Sequence, residues 1–354
     1  MTSLFDPIRL RGLELANRLW APPMCQYSAG ADGAPTDWHL VHLGGLATGG
    51  AGLVIAEATA VSPEGRISPA DVGLWSGEQI ASWRRITGFV HARGASLGVQ
   101  LGHAGRKAST APPHLGRGTV PAEDGGWTTV APSALPFGRY AVPDALDEAG
   151  IRSVIDDFAA AAGNAVDAGF DAVEVHAAHG YLLHQFLSPL SNRREDGWGG
   201  SFEARTRLAL EVVDAVRAAV PESMPVLVRL SATDWVEGGW DLPQTVRLAR
   251  LLEQRGVDLL DVSTGGLDPA QAIELGAGYQ VPFARAVREA VSIPVAAVGL
   301  IDEPAQAQSV LDDGAADVVL MGRQLLREPS FPRRAAAELG AEHAWPVQYL
   351  RARR

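Results

Sequence analysis

Two histidines and a tyrosine, His176, His179 and Tyr181, close the segment EVHAAHGYLLHQFLSPL right after an apolar run, Phe170 to Val175. The run reads as a strand, and only Ala177, Ala178 and Gly180 separate the three polar rings. Imidazoles and a phenol at the end of a buried strand are costly to desolvate unless they meet a ligand or one another. Two neutral imidazoles can grip one oxygen, and a phenol nearby can give up a proton. A bare His-x-x-His equally suits a satisfied core pair or half of a metal site, although Tyr181 and the lack of a third ligand argue against metal.

Such a constellation needs a scaffold that repeats strands and helices. Strands are expected near Arg18–Met24, Gly52–Ala58, Ser96–Leu101, Phe170–Val175, Pro225–Leu230, Val257–Val262, Pro294–Val298 and Ala316–Met321. VLVRL and DVVLM are near-continuous apolar runs, as parallel strands covered on both faces require. Helical stripes fall at Ile151–Ala168, Phe202–Ala218, Leu242–Arg255, Pro282–Ala290 and Pro304–Asp312, the last with Asp302 as its N-cap and Gly314 just past its end. Eight strands with intervening helices predict an α/β fold, a (β/α)8 TIM barrel forming a single domain over 1–354. A doubly wound sheet lacks its glycine fingerprint here. A long insertion after the third strand, 103–150, reads as a lid over one barrel mouth. Residues 340–354 form a C-terminal tail.

In such barrels chemistry sits where the strands end. The first strand ends in PPMCQY, the second in EAT, the third in Gln100 and His103, and the fifth in Arg229 and Ser231. The sixth ends in Ser263, Gly265 and Gly266, the seventh in Gly299, the eighth in Gly322 and Arg323. Glycines after the last two strands suit a phosphate cradled by backbone N–H groups, with Arg323 as its charged partner. Arg229, inside an apolar run, needs an anionic or carbonyl partner; an ion pair with Glu174 or Asp261 is the structural alternative. Gln100 could simply satisfy barrel backbone, and Gly299 and Gly322 could be plain turn residues. One flat, polar heterocycle with a phosphate tail would satisfy many of these groups; flavin mononucleotide (FMN) fits that description, and composition alone allows others.

Composition narrows the partners. A net charge of −11 and a pI near 5.3 argue against nucleic acid or an anionic membrane surface. A single cysteine, Cys25, permits no disulfide, no cysteine zinc site and no iron–sulfur cluster within the chain. No signal core or spanning run is apparent, so the cytoplasm is the expected location. Lys107 is the only lysine, set in the long third loop where solvent exposure is the plain expectation. That placement disfavours a Schiff-base aldolase, which needs a lysine at a strand end. A metal-dependent TIM-barrel hydrolase using His176 and His179 is the alternative function, although its usual H-x-H after the first strand is replaced by MCQY. His184 reads as structural, and His103 has no assigned role.

The pieces PPMCQYS, QLGHAGR, AGFDAVEVHAAHGYLLHQFLSPLSNRR, DGWGGSFEAR, VLVRLS, MGRQLLREP and PVQYLR, in order along essentially the whole chain, resemble the Old Yellow Enzyme family of flavin-dependent ene-reductases. Cys25 and the terminal PVQYLR resemble its short bacterial, thermophilic-like branch. By that resemblance Pro22, Pro23, Met24, Cys25, Ala58, Gln100, Arg229, Gly322 and Arg323 hold FMN, with NADPH as hydride donor. His176 and His179 bind a substrate carbonyl, Tyr181 donates the proton, Tyr27 contacts substrate and Cys25 tunes the flavin. Arg351 matches an arginine that a neighbouring subunit supplies, which implies a homodimer or homotetramer acting on small activated alkenes. Trp198 stands where the family usually has tyrosine and Ala204 where asparagine is common, which puts local loop packing in question more than chemistry.

Overall fold

Period-two alternation decides which side chains share the interior of this protein. The computed structural model describes residues 2–353. Its eight parallel barrel strands are Leu19–Trp20, Val54–Ala60, Leu97–Gly102, Ala172–Ala177, Val226–Ser231, Leu259–Ser263, Val295–Val298 and Val318–Leu320. Hydrogen bonding runs first, eighth, seventh and so on down to second. A bridge from Ala21 to Val54 joins the first strand to the second and closes the ring. The barrel expected from sequence is present. The first strand is shorter than its apolar run because Pro22 and Pro23 have no N–H to continue the ladder.

Inside the barrel the side chains lie in layers. Trp20, Leu53, Ile55, Ala172, Leu227, Leu259, Ala296 and Val318 fill the lower interior. An antiparallel hairpin, Ile8–Leu10 with Leu13–Leu15, plugs it from below. One step up each strand come Gln100, Glu174, Arg229 and Asp261, and above them His176, Ser231 and Ser263. Their alternate neighbours, such as Val173, Val175, Val228 and Val262, pack outward against the helices. Burying one such aliphatic side chain contributes about 1.5–3 kcal/mol, so a one-residue register slip, which exchanges the two faces, is strongly disfavoured.

The outer helices Glu148–Asp167, Phe202–Ala219, Leu242–Gln254, Val281–Arg288 and Pro304–Asp312 match the five anticipated stripes. Two more, Asp37–Gly49 and Gly77–His91, cover the first strands where no stripe was read. Asp302 is not the cap of Pro304–Asp312: Glu303 holds that position without a side-chain bond, and Asp302 lies 3.4 Å from Arg327. Pro304 removes one N–H that a cap would serve. Between the third strand and the helix Glu148–Asp167 the chain makes short turns and a two-residue ribbon, Val130–Ala131 beside Asp144–Ala145. The chain ends in the helix Phe331–Glu338 and a 3-10 turn, Val347–Ala352. Among the described residues no helix is long and apolar enough to cross a membrane.

Candidate active site

The fourth strand delivers His176 inward as its last-but-one residue, one layer above Glu174. His176 Nδ1 accepts the Ala178 N–H at 3.3 Å, which assigns its own proton to Nε2. The chain then turns through a left-handed residue, His179 (φ 57°), whose N–H donates to Ser231 Oγ at 2.9 Å. The His179 ring places Nε2 2.8 Å from Ser263 Oγ. The two imidazole centres stand 5.2 Å apart and nearly perpendicular, and the Tyr181 ring lies 4.9 Å from that of His176. All three residues singled out from the sequence therefore meet at one barrel mouth.

Their charge states follow from burial. Desolvation, reinforced by the Arg229 guanidinium, holds both histidines well below the ordinary imidazole range, so both are neutral N–H bearers at physiological pH. Desolvation, with Cys25 adding to it, pushes the Tyr181 phenol above its usual value and keeps it protonated. His176 can thus donate to an oxygen from Nε2, His179 can do so from Nδ1 when Ser263 Oγ donates to its Nε2, and the phenol can release a proton.

Beneath them the charged layer resolves an ambiguity. Gln100 Nε2 donates to Glu174 Oε1 at 2.7 Å, whereas Arg229 Nε faces Asp261 Oδ2 at 2.9 Å. Of the two carboxylates considered for Arg229, Asp261 takes it, because cross-strand register sets Arg229 directly opposite Asp261. Burial and the neighbouring Asp261 raise the Glu174 carboxyl, and its second oxygen has no partner.

Around the rim, Pro22 is buried, while Pro23, Met24, Cys25, Ala58, Gly299 and Gly322 are half-buried and Arg323 is exposed. A Cβ at Gly322 would sit 3.6 Å from Met24 Sδ and 3.7 Å from Pro22 Cγ, so the first and eighth strand ends adjoin. Gly299 has φ 122°, and a Cβ there would come within 2.8 Å of Gln280 Nε2, so only glycine suits the turn. The Cys25 thiol belongs to a cluster with Glu57 and Asp71, whose donor atoms lie within 4.8 Å of one another. Desolvation first, then Asp71, keep the thiol protonated. Glu57 is in turn held by His39 at 3.2 Å and by the Gln26 N–H at 2.8 Å. Tyr27, at φ 52°, has its phenol raised by burial and by Cys25.

Sequence reading missed several of these groups. Glu57, Asp71 and His39 carry no local signal, since Glu57 lies in the second strand, His39 in the helix before it and Asp71 in the loop after it. Lys107 is not solvent-exposed as expected: Nζ donates to the His179 carbonyl at 2.7 Å and the Gly266 carbonyl at 2.8 Å. Burial and the adjacent Arg106 pull its ammonium down to about 7. His103 serves its own turn, accepting the Gly105 N–H at 3.0 Å, and burial holds it down to about 4. His184 is structural, bonded to Asp234 at 2.9 Å and to the Gly180 N–H. Trp198 is buried beneath the Arg207 guanidinium, and the Ala204 N–H bonds Ser201 Oγ, which caps the helix Phe202–Ala219. Arg351 is not part of this mouth. The stretch His343–Gln348 lines one cavity with Asn17, Gly52 and Ser96, which precede the first three strands, so the tail lies at the opposite end of the barrel.

The donor set suits a flavin. A carboxamide on the third strand and a guanidinium on the fifth, an unpartnered Glu174 oxygen on the strand between them, and a glycine-lined rim beside Arg323 match a flat ring with donors and acceptors on its edge and a phosphate at its far end. The histidine pair does not suit a metal. Among the described residues no cysteine, carboxylate or third histidine joins His176 and His179, and the one cluster of three ligand types is that of Cys25, Glu57 and Asp71. The hydrolase alternative therefore finds no support.

Fold and site together define an FMN-binding TIM-barrel oxidoreductase. Comparison with known proteins is specific: the pattern of the NADH:flavin oxidoreductase / NADH oxidase family matches residues 3–342, and the chain belongs to that family. An NADH:flavin oxidoreductase of Gibberella zeae is 49% identical over 360 residues, covering 96% of this chain and 87% of the relative. An NADPH dehydrogenase of Geobacillus thermodenitrificans is 45% identical, covering 99% and 98%. The structure of morphinone reductase in complex with tetrahydroNAD superimposes with a TM-score of 0.79 at 32% identity, covering 98% of this chain and 93% of that one.

Proposed function

We propose that this protein is an FMN-dependent NADPH dehydrogenase of the ene-reductase type, reducing the activated C=C bond of α,β-unsaturated aldehydes and ketones in two half-reactions. The observation that carries this reading is the pair of neutral imidazoles, His176 and His179, at one strand end with the protonated Tyr181 phenol 4.9 Å from His176. FMN held there would supply the redox chemistry, hydride exchange between NADPH and the activated alkene.

Pro22, Pro23, Met24, Cys25, Ala58, Gln100, Arg229, Gly299, Gly322 and Arg323 are the residues proposed to hold FMN. His176 and His179 hold the substrate carbonyl and stabilise the negative charge that develops on its oxygen, where preorganised donors lower a barrier most. Tyr181 gives its proton to the α-carbon. Tyr27 lines the substrate face, and the protonated Cys25 thiol sets the polarity beside the flavin. The segment 103–150, in this reading, covers the mouth as a lid, and NADPH and substrate enter in turn. A cytoplasmic location accords with a supply of reduced nicotinamide.

Arg351 acts, in this reading, in the site of a neighbouring copy, in a homodimer or homotetramer. Three residues beyond Gln348 extend at most about 10 Å, and a six-residue strand such as Ala172–Ala177 is itself roughly 17–20 Å long. That position at the opposite end of the barrel supports a role for the tail in a partner's site rather than in its own mouth.

The test is the visible spectrum of the purified protein under anaerobic conditions, with NADPH and then cyclohexenone added. A yellow protein that bleaches and recolours supports both half-reactions. A protein that stays colourless after incubation with FMN overturns the reading.

A further inference from the structure

The only lysine of the chain stands at the junction of three segments of the mouth. Lys107 follows the third strand, and its Nζ donates to the carbonyls of His179, after the fourth strand, and Gly266, after the sixth. These two loops touch backbone to backbone: a Cβ at Gly180 would lie 2.2 Å from the Gly266 oxygen, and one at Gly266 would lie 2.6 Å from His179. No side chain larger than glycine can enter, so the two carbonyls are held close and both point at one cation. The His179 carbonyl belongs to a left-handed residue (φ 57°), a conformation that needs support from outside. The same ammonium lies 5.1 Å from the centre of the Tyr181 ring and 4.6 Å from that of Phe137.

We propose that Lys107 is a positioning residue for the alkene half-reaction, fixing the His179 turn through its hydrogen bonds and, through its charge, making Tyr181 a stronger acid. This rests on the function proposed above. In that step the Tyr181 O–H bond breaks and a C–H bond forms at the α-carbon from the electron pair of the enolate, leaving a phenolate that water later reprotonates. A cation near the ring stabilises negative charge appearing on the phenol oxygen, and in a site with little water that stabilisation is weakly screened. The charge of Lys107 thus favours the products of the proton transfer without touching the substrate. Hydride uptake from NADPH involves no phenolate and does not draw on it.

The experiment separates clamp from charge. Lys107→Gln keeps a side-chain N–H for the carbonyls but no charge, Lys107→Met keeps neither, and Lys107→Arg keeps the charge. Each FMN-loaded enzyme is followed by stopped flow at pH 6, where the native ammonium is protonated, with NADPH reduction and cyclohexenone reoxidation measured separately in water and deuterium oxide. Lys107→Gln is expected to reduce with NADPH within about twofold of the parent and to reoxidise about tenfold slower with an enlarged solvent isotope effect; Lys107→Arg recovers part of that loss. Lys107→Met adds weaker binding of phenolic ligands, as the His179 turn loosens. Equal slowing of both half-reactions in Lys107→Gln, or parent-like reoxidation, overturns the role of the charge. If Lys107→Met fails to retain FMN, Lys107→Gln alone decides. A parent enzyme that cyclohexenone does not reoxidise defeats the functional reading instead, before any variant is compared.

Discussion

Arg229 Nε and Asp261 Oδ2 lie 2.9 Å apart inside the barrel, on the fifth and sixth strands and directly opposite in register. Both side chains are buried, and the register that sets Arg229 opposite Asp261 on the sixth strand also sets it opposite His176 on the fourth. Asp261→Asn preserves shape but removes the charge that aligns Arg229. The expected result is FMN retention weakened about tenfold, equivalent to about 1.4 kcal/mol, read from the flavin fluorescence released on ultrafiltration. Asp261→Ala leaves a buried, unpaired guanidinium and should destabilise the fold by about 3–5 kcal/mol in urea unfolding. Unchanged retention in Asp261→Asn would separate Arg229 from flavin binding.

Tyr181→Phe removes one oxygen and leaves the ring packed against His176. Reoxidation by cyclohexenone should slow by roughly 10²–10⁴, the usual contribution of a positioned acid, while NADPH reduction stays nearly intact. Equal losses in the two half-reactions refute the assignment.

Ser263 Oγ lies 2.8 Å from His179 Nε2 and 3.2 Å from Gln280 Oε1, and so helps decide which nitrogen of His179 bears the proton. In Ser263→Ala that preference is lost, and phenolic ligands should bind about tenfold more weakly, about 1.4 kcal/mol and within the range of one hydrogen bond to a charged group. Spectral titration of the flavin band with a phenol measures it. His176→Ala and His179→Ala should lose phenol binding altogether.

The pH dependence has a defined sign. Burial, with Arg229 second, holds His176 and His179 below the ordinary value of 6.5. Both therefore remain neutral donors as pH falls through 6.5, and phenol affinity should show no imidazole titration there. Stability behaves differently: below 6.5 the unfolded chain takes up protons that the folded chain refuses, so unfolding is favoured as the medium is acidified. Urea midpoints for the parent and for His176→Asn at pH 5.5 and 7.5 test this, with a smaller acid loss expected in the variant.

Mixing subunits tests the tail. Chains carrying Arg351→Ala and chains carrying Tyr181→Phe each give a defective enzyme under the proposed arrangement. Co-assembled, they should regain activity, since a site with Tyr181 can then receive Arg351 from its partner. No recovery in a verified mixed oligomer would count against exchange.

Much of the site was legible because its key residues are close in the chain. His176, His179 and Tyr181 follow one strand within a single turn, so their meeting needs only that the strand be buried and its end open. The eight strands announced themselves as apolar runs, and the alternation along VEVHA or LLDVS already separates an inward Glu174, His176, Asp261 and Ser263 from outward valines and leucines. What no local pattern contains is the stagger between strands. Whether Arg229 meets Glu174 or Asp261, and whether Gln100 or Arg229 occupies Glu174, depends on neighbouring strands brought together over tens of residues. Lys107 looked like a loop lysine because its acceptors are backbone carbonyls contributed from residues 179 and 266, groups that every residue carries and no sequence marks. The tail, too, could be read as a motif but not placed, since its end of the barrel is fixed by packing against the segments before the first three strands. Local chemistry and periodicity determined which residues could act; close packing of distant segments decided which of them touch.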